Sequence, residues 1–302
     1  MWWPPYGQTR RYLAGAFRTV RRLAPSLVEV HNRPLLALRL VRAGTRTALV
    51  LHNDPHGMEG ARGPAERGAL LKTMRIACVS AFLRDRFMEG VEDFGAKPCV
   101  LPNGIDFAAL PPPLPAAERD PTLLFAGRTV ADKGADVFVA ACRLALPQCP
   151  GWRALMIGAD RYRSDSPDTP FLRTLRPHAA EAGVEMCGYH PHRAVLDAMA
   201  RAAIVVVPSR WDEPFGLVAL EAAACGAAVI ASPRGALPEI LGDAAVYTAP
   251  DRPDALAETI VALAQSSEQR AALGEAGRRR ARAFDAPIIR AQHAAWRAGT
   301  QR

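Results

Sequence analysis

The stretch that decides the fold begins Ala203-Ile204-Val205-Val206-Val207-Pro208-Ser209. It runs on through Glu213-Pro214-Phe215-Gly216-Leu217-Val218-Ala219-Leu220-Glu221 and returns to Ala228-Val229-Ile230-Ala231. Its outer pieces are short, unbroken apolar runs, the pattern of strands buried on both faces. Between them Gly216–Ala224 reads as a helix. Strand, helix and strand in this order form the unit of a parallel sheet covered on both sides.

The pattern repeats outward. Strands are predicted at Thr122–Ala126, Arg153–Ile157, Val184–Cys187, Ala203–Val207, Ala228–Ala231 and Ala245–Tyr247, with helices such as Gly134–Leu146 and Pro191–Arg201 between them. In the first half, strands are predicted at Leu27–Val30, Thr47–Leu51, Arg75–Val79 and Pro98–Leu101. Pro111-Pro112-Pro113-Leu114-Pro115 continues neither a helix nor a central strand and marks a boundary. This gives domains at 1–110 and 116–285, the latter ending in Pro253–Gln265 and Ser267–Phe284, followed by a helix in 286–302 that packs back toward the first domain.

At 302 residues, 49% hydrophobic and 23% charged, the chain has the composition of a soluble two-domain protein. No apolar run approaches the ~20 residues of a spanning helix. The start, Met1-Trp2-Trp3-Pro4-Pro5, lacks the regions of a signal peptide, so a cytoplasmic location is expected. Six scattered cysteines without a Cys-x-x-Cys pair predict neither bridges nor a zinc site. A net charge of +8 suits phosphorylated small molecules, anionic lipid or nucleic acid. No nucleic-acid motif accompanies it, so no nucleic-acid partner is expected. In a helix over Thr9–Leu23, Arg10, Arg11, Arg18, Arg21 and Arg22 face away from Leu13, Phe17, Val20 and Leu23. That describes either a helix on an anionic membrane surface or an ordinary one packed on the sheet.

Two loops carry chemistry. Gly127-Arg128-Thr129-Val130-Ala131-Asp132-Lys133-Gly134 follows the first strand of the second domain and opens its first helix, where doubly wound sheets bind ligands. It holds two cations, one of them among the chain's three lysines, and matches neither a Walker A loop nor a dinucleotide fingerprint. In the second loop, a helix starting near Phe215 would turn the N–H groups of Phe215, Gly216 and Leu217 outward as an anion site. Glu213 would then stand at its mouth, with Glu221 two turns along. A solvated cation pair and a capping acid with an exposed glutamate are the plain alternatives.

Taken in order, Pro102-Asn103-Gly104-Ile105-Asp106, the Arg128–Lys133 loop, Pro208-Ser209, Glu213/Glu221, Ala224-Cys225-Gly226 and Gly235-Ala236-Leu237-Pro238-Glu239 resemble the GT4 retaining glycosyltransferases. The resemblance implies the GT-B fold: two Rossmann-like doubly wound α/β domains facing a cleft. It implies a nucleotide-sugar donor, UDP- or GDP-linked, and a glycan or lipid-linked acceptor in cell-envelope polysaccharide or lipopolysaccharide synthesis. No cofactor or metal is expected. Arg128 and Lys133 would hold the donor diphosphate, Glu213 and the N–H groups of Phe215, Gly216 and Leu217 the sugar and phosphate, and Glu221 the ribose. On the acceptor side, His52 falls where the family places a histidine against the donor sugar, with His31 and Asp54 lining the acceptor site. Only 26 residues precede the strand at Leu27, so the first domain is expected to lack part of its sheet. An upstream start, a partner that completes the sheet (an oligomer among them) or an inactive nucleotide-sugar-binding remnant would each account for this.

Overall fold

The structure, a computed structural model, describes residues 6–92, 95–161, 163 and 165–300. It divides into two compact units, the first reaching Pro102 and taking in the last helix from Arg290, the second spanning Asn103–Ile289. The division falls after Pro102, so the proline stretch 111–115 belongs inside the second unit and not at a boundary near 110–116.

The first unit contains α1 (Tyr6–Leu23), β1 (Val28–His31), α2 (Pro34–Arg42), β2 (Thr47–Leu51), α3 (Pro64–Thr73), β3 (Arg75–Cys78), α4 (Ala81–Met88) and β4 (Cys99–Val100). Its four strands are parallel and lie in the order β1-β2-β3-β4. On α1, Leu13 is buried, Phe17 and Val20 are half-buried, and Arg11, Arg18, Arg21 and Arg22 are exposed. Leu23, expected on the apolar side, is 66% exposed, because the helix ends there and Ala24 turns to a φ of 42°. Ser80 caps α4 by accepting from the Leu83 N–H at 3.0 Å. Arg67 of α3 is 1% exposed, and its guanidinium donates to the carbonyls of Ala61, Arg62, Phe87 and Glu89, which offsets the cost of burying it.

The second unit holds β5 (Asp120–Ala126), α5 (Ala135–Ala145), β6 (Arg153–Ile157), α6 (Pro170–Glu181), β7 (Val184–Gly188), α7 (His192–Arg201), β8 (Ala202–Val207), α8 (Leu217–Ala224), β9 (Ala228–Ala231), α9 (Leu237–Leu241), β10 (Ala245–Tyr247), α10 (Pro253–Gln265) and α11 (Ser267–Ala281). α12 (Ala286–Thr300) follows. Its six parallel strands run β10-β9-β8-β5-β6-β7. Strand residues alternate between two cores: Leu123 and Phe125 join α5 and α10, while Leu124 and Ala126 join α7 and α8. That is the two-sided cover the unbroken apolar runs require. The helix expected over Ser267–Phe284 ends at Ala281 and gives way to a tight turn, Arg282–Phe284, which buries Phe284.

The order places β5 beside β8, with the chain proceeding to β6 and β7 on one side and to β9 and β10 on the other. The crossovers after β5 and β8 therefore leave in opposite directions, opening a crevice at the carboxyl ends of these two strands.

Candidate active site

The loops flanking that crevice are the two singled out by sequence. After β5 the chain passes Gly127 and Arg128, makes a tight turn over Ala131–Lys133, and enters α5 through Gly134 at φ 69°. A Cβ on Gly134 would overlap the Pro208 carbonyl, so the loop after β5 closes on the loop after β8 only with glycine there. The Asp132 carbonyl accepts from the N–H groups of Arg210 and Trp211, each at 2.9 Å.

Arg210, which sequence reasoning passed over, latches the loops. Its guanidinium donates to the Ala131 carbonyl at 2.8 Å and to both Asp136 oxygens at 2.6 and 2.9 Å, and it also pairs with Asp251. Those partners, Asp136 foremost, hold its pKa above the ordinary arginine value.

Within this frame Lys133 Nζ donates to Glu213 Oε1 at 2.5 Å, and Ser209 Oγ donates to the same oxygen at 2.9 Å. Glu213 is 9% exposed and therefore needs these partners. Gly235 passes so close that a Cβ would overlap the Glu213 backbone, and Ala236 N–H donates to the Glu213 carbonyl at 2.8 Å. Arg128, half-buried in the same loop as Lys133, makes no ion pair among the described residues.

α8 starts at Leu217, two residues later than the expected Phe215, because Gly216 takes a φ of 91° and serves as its N-cap. Phe215 is 3% exposed and packs edge-on against Phe284, centroids 5.8 Å apart. The first bond of the helix runs from Leu220 N–H to the Gly216 carbonyl, leaving the preceding N–H groups at the helix mouth. Glu221, one turn further, accepts from His192 Nε2 at 2.8 Å. Burial raises the Glu221 pKa above the ordinary carboxylate value, against the opposing effect of His192. His192, exposed at the start of α7, carries no motif that would have marked it in the sequence.

In the first unit, His31 ends β1 and His52 follows β2, so adjacent parallel strands bring them together. His31 Nδ1 lies 2.8 Å from His52 Nε2, and His31 Nε2 lies 2.8 Å from Glu29 Oε1. Glu29 is gripped by Arg297 of α12 at 2.6 and 3.0 Å, a pairing that lowers its pKa. Asp54 stands in a separate cluster: Oδ1 accepts from His56 N–H and Nδ1, and Oδ2 from Arg86. Burial pushes the Asp54 pKa up, but Arg86 and His56 outweigh it and leave it lowered. Among the described residues no group of three or more His, Cys, Asp or Glu could hold a metal ion, and no helix is long and apolar enough to cross a membrane.

A doubly wound parallel sheet whose strand order reverses between two loops forms, at that switch point, the crevice in which open α/β sheets bind ligands. The particular family follows from comparison: residues 106–280 match the glycosyl transferases group 1, and the chain belongs to that family. It is 32% identical over 188 residues to a D-inositol 3-phosphate glycosyltransferase of Segniliparus rotundus, covering 59% of this chain and 41% of that protein. It is 29% identical to a GDP-mannose-dependent phosphatidylinositol monomannoside mannosyltransferase of Corynebacterium glutamicum, covering 67% of this chain and 56% of the relative. The chain thus spans about half the length of the curated relatives it matches. HepE of Anabaena, solved with UDP, superposes with a TM-score of 0.79 at 20% identity over 98% of this chain and 84% of its own, a likeness of fold. The fold class is GT-B, two Rossmann-like α/β units with parallel sheets.

Proposed function

We propose that the chain is a retaining glycosyltransferase that moves a hexose from a UDP- or GDP-linked donor to a hydroxyl of a glycan or lipid-linked acceptor in cell-envelope polysaccharide or lipopolysaccharide synthesis. One observation carries this reading: Lys133, Ser209 and Glu213 meet at the β5/β8 switch point, beside a helix mouth that offers N–H donors.

In this mechanism Arg128 and Lys133 lie against the donor diphosphate. As the sugar C1–O bond breaks, the negative charge growing on the leaving phosphate is met by these cations, which stabilise the transition state more than the bound donor. One N–H of Lys133 is committed to Glu213 and its other two remain for phosphate oxygens. Glu213 offers Oε2 to a sugar hydroxyl, the N–H groups of Phe215, Gly216 and Leu217 serve sugar and phosphate, and Glu221 accepts the ribose hydroxyls. In the first unit His52 is the candidate catalytic residue, with His31 and Asp54 as acceptor-side candidates. The acceptor hydroxyl attacks C1 from the face the phosphate leaves, its proton passing to a departing phosphate oxygen, so the configuration is kept. No metal is required, because protein cations and N–H groups carry the charge. The exposed arginines of α1 suit peripheral contact with the inner face of the cytoplasmic membrane. The GDP-mannose dependence of one relative favours testing GDP beside UDP.

The test is calorimetric titration of UDP, GDP and ADP into the chain and into the double variant Arg128→Ala/Lys133→Ala. One nucleotide should bind, and its affinity should fall by ~100-fold or more in the variant. A folded chain that binds none of the three overturns the reading, whereas binding without donor turnover would leave a nucleotide-sugar-binding protein.

A further inference from the structure

We infer that Glu29 and His31 are positioning residues that hold His52 in one tautomer, with its proton on Nε2. The inference rests on the reading of His52 as a catalytic residue of the first unit.

The argument starts at the far end of the chain of bonds. Arg297 Nε donates to Glu29 Oε2 at 2.6 Å and Nη2 donates to Oε1 at 3.0 Å, so the carboxyl is kept ionised. An ionised carboxylate can only accept. The contact between Glu29 Oε1 and His31 Nε2 at 2.8 Å must therefore be donated by His31. A neutral imidazole carries one N–H. With that proton on Nε2, Nδ1 of neutral His31 is an acceptor, and His52 Nε2, 2.8 Å away, has to be the donor. The lone pair of neutral His52 is thereby assigned to Nδ1.

The backbone reinforces this arrangement. Asn32, directly after His31, takes a φ of 53° and its Oδ1 accepts from the His52 N–H at 2.7 Å. The two rings lie nearly parallel, centroids 5.1 Å apart. A carboxylate orienting one imidazole through its N–H is a general device; here it acts through a second imidazole.

The test is histidine-¹⁵N NMR on the full chain, with the His52 signals assigned by their loss in His52→Gln. Wild-type His52 should show a protonated Nε2 and a lone-pair Nδ1. In His31→Phe, which keeps a ring and loses the acceptor, the His52 signals should collapse to a mixture of tautomers. His31 is about half exposed, so the substitution leaves the core alone, and His31→Gln serves as a second variant. A wild-type His52 that is already a mixture, or protonated on Nδ1, overturns the inference. Hydrolysis of UDP-glucose or GDP-mannose supplies the kinetic arm. Glu29→Gln and His31→Phe should each lower kcat by ~10-fold with KM within about twofold of wild type. An unchanged kcat in both overturns their part in the reaction. Full kcat in His52→Gln would sink the reading of His52 itself, and the tautomer result would still decide whether the relay exists.

Discussion

The two units place their candidate residues by different means. In the second, the reversal of strand order between β5 and β8 makes the crevice, and glycine backbones at 134 and 235 let its loops close to van der Waals contact. Lys133 and Glu213 are then fixed by packing, with side-chain bonds finishing the work. The four described strands of the first unit run β1-β2-β3-β4 without reversal. There the strand ends bring His31 and His52 together, and a line of hydrogen bonds from Arg297 through Glu29 orients them. A site built from backbone should be brittle to small changes in shape. One built from half-exposed side chains should yield gradually and should feel pH.

The sharpest test of that contrast is Lys133→Ala. It removes a leaving-group cation and leaves the buried Glu213 carboxylate with Ser209 as its remaining partner. Donor hydrolysis should fall by ~100- to 1000-fold, about 3–4 kcal/mol of transition-state stabilisation. A loss below about tenfold would mean that the ion pair is structural and Arg128 alone meets the phosphate. Next comes Gly134→Ala. Its methyl would overlap the Pro208 carbonyl at a φ that L residues resist, so unfolding in urea should show a loss of about 2–3 kcal/mol together with weakened nucleotide binding. Wild-type stability in that variant would show that the loops have slack and that the brittle-frame description is wrong.

The same contrast explains what could be read in advance. Arg128, Lys133 and Glu213 lie in the loops that follow the unbroken apolar runs of β5 and β8, and Glu221 in the helix after the second, so their place beyond the carboxyl edge of a parallel sheet follows from the periodicity around them. His31 and His52 are legible for the same reason. The partners are another matter. Arg297 meets Glu29 across 268 positions and His192 meets Glu221 across 29, and no local pattern encodes either contact. Arg210 reads as one more arginine in a chain full of them until Asp136 and Asp251 are seen around it. α8 starts later than the sequence predicts because Gly216, with its left-handed backbone, caps the helix instead of joining it. Strand ends can be read from periodicity, while the network that orients them depends on side-chain reach across the fold.

Glu221 offers a pH test within the second unit, with an expected effect of about 1.5–2 kcal/mol on nucleotide affinity for Glu221→Gln. Burial raises its pKa, so the carboxylate is lost at a higher pH than that of a free glutamate. The signs for stability and binding are opposite. Protonation favours the folded chain, so this group's contribution to stability is present below the unfolded value and lost as pH rises through the raised one. Ribose hydroxyls need the carboxylate as acceptor, so affinity for the nucleoside diphosphate should fall as pH is lowered through the raised value. The phosphate of the ligand titrates equally against both proteins, so the ratio of wild-type to Glu221→Gln affinity isolates the carboxylate. A ratio independent of pH would remove Glu221 from the ribose.

The smallest effect belongs to the first unit. Arg297 is 46% exposed, so solvent screens its pairing with Glu29, and Arg297→Ala should lower stability at pH 7 by no more than about 1 kcal/mol. Its signature is the direction of the pH dependence. Glu29 titrates below its unfolded value in the folded chain, chiefly because Arg297 donates to it. That contribution to stability is complete above the unfolded pKa and disappears as pH falls through the lowered one. Urea midpoints of wild type and Arg297→Ala should therefore differ at neutral pH and converge on acidification, with added salt narrowing the gap at neutral pH. A loss of several kcal/mol that ignores both pH and salt would show that α12 holds the first unit by packing through Trp296 and its neighbours. The first unit would then be as rigidly framed as the second, and the division between a backbone-built site and a side-chain-built one would fail at its weaker end.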